Sequence, residues 1–193
     1  MSIALWKSSF GDEYTDRNSP NLEARREIWK QILPGCQSVL EVGANLGQNL
    51  QAISEISGAE LLACEPNDHA RAKLEALGLC PIVTGDAADK IMLADGFVDL
   101  AFTCGVLIHI PPEKLEASMR EIYRVSNRYI ICGEYFAPSE EMIPYHGKQN
   151  AMWRRDYGSL YMDMFPDLKC TQTLFAWKRT TGLDNIMFWV MEK

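Results

Sequence analysis

A strand buried on both faces reads as a short unbroken apolar run, and runs of this kind recur along the chain with helical patterns between several of them. Ser38-Val39-Leu40-Glu41-Val42, Leu61-Leu62-Ala63-Cys64, Pro81 to Thr84, Val98 to Thr103 and Tyr129 to Cys132 are the runs. Leu22, Ile28, Trp29, Ile32 and Leu33 recur at helical spacing after Ser19-Pro20, an N-cap followed by a first-turn proline, and Pro34-Gly35 ends that helix. Leu50, Ile53 and Ile56 stand three apart on one helical face. Asn67 caps a further helix with Ala70, Leu74 and Leu77 inward and Gly78 as its stop, and Leu115, Met119, Ile122 and Tyr123 form a fourth stripe. Strands alternating with helices predict an α/β chain: a Rossmann-like, doubly wound, mostly parallel sheet covered on both faces.

The last third breaks this rhythm. Residues 134–169 read as irregular and rich in aromatic side chains, and two extended stretches follow at about Thr171 to Lys178 and Asn185 to Glu192 around a turn near Gly182. With no helix between them these stretches should pair antiparallel and close one edge of the sheet. The 193 residues suit one domain. Its parts are an N-terminal lid and helix (1–35), a core (36–133), a substrate-recognition insertion (134–169) and an antiparallel edge (170–193).

Acidic residues outnumber basic ones, 26 to 19, for a net charge of −7. Such a chain is repelled on average by phosphate backbones and anionic membranes, so nucleic acid and membrane are not expected partners and a small-molecule acceptor is. No apolar run approaches a membrane span, and the expected location is the cytoplasm. The six cysteines are scattered with no Cys-x-x-Cys pair, which suits small hydrophobes in a reducing compartment. No His-x-x-x-His or cysteine cluster calls for a metal. Oligomeric state is not legible.

In an open α/β sheet ligands bind beyond the carboxyl ends of the strands, which directs attention to the loop Glu41-Val42-Gly43-Ala44-Asn45-Leu46-Gly47. Glycine lets the backbone turn sharply and approach a ligand closely. Alone, the loop fits NAD, FAD or S-adenosylmethionine. Its Gly-x-Asn-x-Gly spacing differs from the Gly-x-Gly-x-x-Gly that supports a pyrophosphate. A carboxylate two residues before the first glycine suits a cationic sulfonium and amino group rather than a pyrophosphate. Glu65, ending the second strand, stands where a carboxylate accepts from ribose hydroxyls.

The run Val39 to Gly47, then Glu65-Pro66-Asn67, then Gly85-Asp86-Ala87, then Asp99 to Ile110 resembles the successive motifs of class I S-adenosylmethionine-dependent methyltransferases, over roughly residues 38–133. The resemblance implies S-adenosylmethionine as cofactor. Gly43 and Gly47 would pass its methionine part with Ala44 and Asn45 between them, and Glu65 with Pro66 would hold the ribose. Asp86 would meet the adenine amino group beside Ala87, and Cys104, Gly105 and Val106 would line the sulfonium end. Asn45 stands where many members carry glycine. More narrowly, Trp6 with Phe10 to Asn18, Trp153 to Tyr157 and the closing Phe188 to Lys193 are similar to methylases associated with pseudaminic acid biosynthesis. On this reading Phe10 to Asn18 is a lid, with Tyr14 stacked on the cofactor, Arg17 paired with its carboxylate, and Asn18 alongside.

A proton acceptor for the reaction would come from His109, Glu134, His146 or Asp156, with His146 favoured for its place in the aromatic insertion. Tyr135, Tyr145, Trp153 and Tyr157 would form a platform for a sugar ring, and Arg154 and Arg155, with Lys148 and Lys178, would contact the phosphates of a nucleotide-linked sugar. The expected function is methyl transfer to oxygen or nitrogen of a small molecule in a surface-glycan pathway. The alternatives are a non-catalytic cofactor-binding sensor or interaction protein and an NAD-dependent oxidoreductase.

Overall fold

The computed structural model describes residues 3–18 and 21–193. Its elements in chain order are α1 (Ile3–Trp6), α2 (Ser9–Arg17), α3 (Leu22–Ile32), β1 (Ser38–Val42), α4 (Gln48–Ser54), β2 (Glu60–Cys64), α5 (Asp68–Ala76), β3 (Ile82–Val83), β4 (Val98–Cys104), α6 (Pro112–Val125), β5 (Ser126–Glu134), β6 (Glu141–Tyr145), β7 (Lys148–Arg154), α7 (Tyr157–Met164), β8 (Lys169–Ala176), α8 (Lys178–Thr181) and β9 (Ile186–Glu192). A 3₁₀ turn, Leu107–His109, follows β4.

The main sheet has seven strands in the order β3-β2-β1-β4-β5-β9-β8. β3, β2, β1, β4 and β5 pair in parallel, and β9 runs antiparallel to both β5 and β8. Strand order reverses at β1/β4, so the loops that leave these two strands face each other across a crevice. This is the doubly wound α/β sheet with an antiparallel ending that the alternation predicts, and it is the class I methyltransferase fold.

Alternation along the strands divides the core between the two faces. Val39, Leu100, Phe102, Ile131 and Val190 pack with Ile28, Trp29 and Ile32 of α3 and with Leu50 and Ile53 of α4. Leu40, Val42, Ala101, Ile130 and Met191 pack with Leu115, Met119 and Ile122 of α6 and with Tyr157 and Tyr161 of α7. Glu41 therefore points to the α3–α4 side and is buried there.

Four local expectations are corrected. The cap expected at Ser19-Pro20 lies outside the described residues, and Asn21 caps α3 by accepting from the Ala24 N–H. Leu77 is exposed because the stripe inward of α5 ends at Leu74. Residues 134–169 are not irregular: β6 and β7 pair as an antiparallel hairpin and α7 follows, Asp156 accepting from the Ser159 N–H at its start. A short helix, α8, interrupts the turn between β8 and β9, closed by Gly182 in the left-handed region at φ 71°. Of the cysteines, Cys64 and Cys132 are buried, the other four are half-buried, and all six are free.

Candidate active site

The loop after β1 turns through three left-handed residues, Gly43 (φ 79°), Asn45 (φ 47°) and Gly47 (φ 65°). Asparagine tolerates this conformation better than most side chains. A β-carbon on Gly43 would stand 2.5 Å from Val106 Cγ2, so glycine here is what lets the β1 and β4 loops close on each other. The Gly43 N–H donates to the Cys64 carbonyl at 2.7 Å, fixing the loop to the end of β2.

A cavity of about 980 Å³, counting the space open at its mouth, lies over these loops. Its floor is Glu41, Gly43, Ala44, Asn45, Glu65, Pro66, Ala87, Cys104, Gly105 and Val106. Its roof comes from α1 and α2 through Ile3, Trp6, Gly11, Tyr14, Thr15 and Asn18. The roof is held down by Asn67, whose amide donates to the Trp6 carbonyl at 2.8 Å and to Asp12 Oδ1 at 2.9 Å. Gly11 lies so close to this amide and to the Trp6 carbonyl that a β-carbon would collide with both.

Two buried carboxylates face the cavity. Glu65 accepts the Asn45 N–H on one oxygen and the Asn67 N–H on the other, each at 2.7 Å, and burial raises its pKa against these two bonds. Each oxygen keeps a second lone pair for a hydroxyl donor. Glu41 receives the Asn49 amide on Oε1 at 2.6 Å, while Oε2 is buried without a partner. Burial pushes the Glu41 pKa up to about 8, opposed by that amide bond and by the Arg25 charge.

Arg25 completes this end. Its Nη1 donates to Asn49 Oδ1 at 2.8 Å, and its Nε, like Asn45 Oδ1, is buried without a partner. Glu41, Arg25 and Asn45 thus share the cavity lining, and each keeps one buried polar atom without a partner. Buried polar atoms are rarely left unpaired, and this set complements the ammonium and carboxylate of an amino-acid zwitterion such as the methionine part of S-adenosylmethionine. The residues present fit the cofactor. Sequence reasoning missed Arg25, although it stands three and four residues before buried Ile28 and Trp29 and so shares the inward face of α3.

Other expected residues fall elsewhere. Gly47 begins α4 behind the lining, against Leu74. Asp86 is beneath the cavity rim, taking the Lys7 ammonium at 3.0 Å and the Ala88 N–H at 3.0 Å, and its neighbour Ala87 faces the space. Arg17 is exposed beside Glu13, one helical turn earlier, and does not line the cavity.

Among the expected proton acceptors His109 lines the cavity; Glu134, Asp156 and His146 do not. Glu134 is fully buried and accepts the N–H groups of Val106, Leu107 and Ile108, so it anchors the loop after β4; burial raises its pKa to about 7. Asp156 serves as the cap of α7. His146 sits exposed at the β6–β7 turn with φ 46°, edge-on to Tyr145.

The expected acceptor platform is likewise dispersed. Trp153 and Tyr157 are buried in packing, and Tyr135 donates to Asp184 at 2.8 Å. Tyr145 stands behind the wall formed by Trp6 and His109. Arg155, expected at the acceptor's phosphates, is buried, held by Glu140 at 2.6 Å and by the Tyr157 hydroxyl and Ile110 carbonyl; Arg154 is exposed and outside the cavity lining.

Residues 40–128 match the family model described as a methyltransferase domain. No curated protein matches the chain in sequence. Solved structures of similar fold include the 1,6-didemethyltoxoflavin-N1-methyltransferase of Burkholderia thailandensis with 1,6-didemethyltoxoflavin and S-adenosylhomocysteine bound, at 14% identity and a TM-score of 0.75, over 99% of this chain and 88% of that one. They also include phosphoethanolamine N-methyltransferase 1 of Haemonchus contortus, at 16% identity and a TM-score of 0.74 over 100% of this chain and 50% of that one. A third is the mitomycin 7-O-methyltransferase, at 14% identity and a TM-score of 0.72 over 100% and 61%. The domain match over residues 40–128 and the fold define one class of protein: a methyltransferase. It is S-adenosylmethionine-dependent, with that molecule as its cofactor.

Proposed function

We propose that this chain transfers the methyl group of S-adenosylmethionine to an oxygen or nitrogen atom of a small molecule. The observation that carries the reading is a cavity over the β1 loop whose lining holds Glu41, Arg25 and Asn45, a carboxylate, a guanidinium and an amide whose chemistry complements a zwitterion. When bound, S-adenosylmethionine supplies an electrophilic methyl group on a sulfonium. Glu41 and Arg25 hold its amino-acid end, Glu65 and Pro66 its ribose, and Ala87 flanks its base. Cys104, Gly105 and Val106 bracket the sulfonium, and the roof residues Tyr14 and Asn18 keep water out.

Methyl transfer loses charge at sulfur in an in-line displacement, so alignment and a dry chamber are what the protein must provide. Among the described residues no group of His, Cys, Asp and Glu is placed to hold a metal ion, and no helix is long and apolar enough to cross a membrane. A nucleotide-linked sugar, and with it a surface-glycan pathway, draws no support from the cavity. Arg25 is the one arginine or lysine among the described lining residues, and the wall gives it to the cofactor. Trp6, Tyr14 and Asn18, within the segment that is similar to the pseudaminic acid methylases, line the cavity roof and name no acceptor.

A ligand that binds the native state alone raises the melting temperature. S-Adenosylhomocysteine at about 100 times its Kd should stabilise the chain by about 2.7 kcal/mol, and NAD should leave it unchanged. Stabilisation by NAD alone would falsify the reading. Turnover with an identified acceptor separates an enzyme from a cofactor sensor.

A further inference from the structure

The cavity has two ends of different chemistry. Glu41, Arg25, Asn45 and Glu65 make the polar end, and all are spoken for by the cofactor. The other end is walled by Trp6, Tyr14, Val106, His109 and Ile110. The Trp6 ring meets Tyr14 edge-on, centroids 5.2 Å apart and planes at 87°, and lies 4.3 Å from the His109 ring, which Tyr145 backs at 5.0 Å. Aromatic walls at these angles suit a flat ring laid against one of them.

We propose that this end takes a neutral, planar heteroaromatic acceptor that lies against Trp6 and presents its nucleophilic N–H or O–H to His109 Nε2. The proposal rests on the methyltransferase reading and specifies its substrate class.

His109 Nδ1 is 2.8 Å from the Ala151 carbonyl oxygen, which only accepts. The ring proton is therefore on Nδ1, and Nε2 is left with its lone pair. Burial holds the ring pKa down to about 4, so this imidazole is neutral and does not repel the sulfonium. Carboxylates that would welcome a cationic amine are absent from this end among the described residues. Glu134 is enclosed by three backbone N–H groups behind the loop, and Asp184, outside the lining, holds Tyr135 and Lys178. Among the described lining residues an anionic acceptor finds no cation at this end either.

In the reaction the acceptor atom's electron pair forms the new bond to the methyl carbon. The carbon–sulfur bond breaks and its pair returns to sulfur. The acceptor's hydrogen, made acidic by the positive charge arriving on its atom, leaves as a proton to Nε2, and the weakly basic ring passes it to solvent.

The test is calorimetric titration of the chain saturated with S-adenosylhomocysteine, using lumazine and 4-hydroxyquinoline as neutral planar probes, cadaverine as the amine and UDP-N-acetylglucosamine as the anionic sugar. At least one planar probe should bind about tenfold tighter than either of the other two ligands. His109→Asn keeps a donor for the Ala151 carbonyl and removes Nε2. It should weaken that probe about tenfold while leaving S-adenosylhomocysteine affinity unchanged. Preference for cadaverine or the nucleotide sugar, no binding of either planar probe, or equal planar-probe affinity in His109→Asn overturns the acceptor proposal. Failure of the wild-type chain to bind S-adenosylhomocysteine overturns the methyltransferase reading instead.

Discussion

Glu41 is held in the core with one oxygen bonded to Asn49 and the other bare, and its pKa of about 8 means that the free protein carries it protonated at neutral pH. A group whose folded pKa is raised contributes stability that is fully present below the unfolded value and lost as pH rises through the folded one. The window here runs from the ordinary carboxylate value of 4.5 to about 8. Binding an ammonium group reverses the preference, so cofactor binding should release a proton and tighten as pH rises towards 8. Glu41→Gln should flatten both profiles, raise the melting temperature of the free protein at alkaline pH and weaken S-adenosylhomocysteine by about tenfold or more. Calorimetry in buffers of different ionisation enthalpy reads the proton directly, and an unchanged pH profile in the variant would exclude this role. Glu41 and Glu65 were legible in the sequence because carboxylates in apolar strand ends are costly. Arg25 was not, because an arginine in a helix with Arg26 beside it reads as solvated surface until the buried stripe of Ile28, Trp29 and Ile32 is used to set its direction.

At the scale of elements, the site is made by loops tied to one another rather than by any one of them. Gly43 touches Val106, Asn45 donates to Glu65, and the loop after β4 hangs on Glu134. Glu134→Ala would leave three N–H groups unpaired, two of them buried, so a loss of about 2–4 kcal/mol is expected in denaturant titration. Hydrogen exchange should quicken at residues 106–108 first, and protection unchanged there would show that the anchor is dispensable. The order of strands and helices up to β5 was readable because each apolar run had a period and a boundary. The insertion was not: the β6–β7 hairpin alternates weakly and is largely exposed on β6, and its turn carries His146-Gly147 in left-handed geometry where an asparagine-glycine pair would have signalled it. Sequence reasoning favoured His146 for its place among aromatic residues over His109, whose ring orientation depends on a fold neighbour, Ala151, 42 residues away.

Over the whole molecule, the insertion is joined to the sheet at several points, and α7 makes one of the tightest. α7 rests on Trp189 of β9, and a β-carbon on Gly158 would stand 2.3 Å from Trp189 Cδ1 and 2.4 Å from Nε1. The indole is itself buried, with Phe136 on one side and Tyr157 on the other, so it has little room to turn away. Gly158→Ala therefore forces α7 off the sheet face that carries Leu40, Ile130 and Met191, at a cost of about 1–3 kcal/mol. Because α6, α7 and the strands share that face, the loss should not appear as a loosened insertion on an intact sheet. Tryptophan fluorescence, to which Trp189 at the junction contributes with the other four tryptophans, and far-ultraviolet circular dichroism, which reports all helices, should shift to lower temperature together and by the same amount. Separate transitions would show instead that α7 and the hairpin fold as an appendage, leaving the sheet and its cofactor end to stand without them.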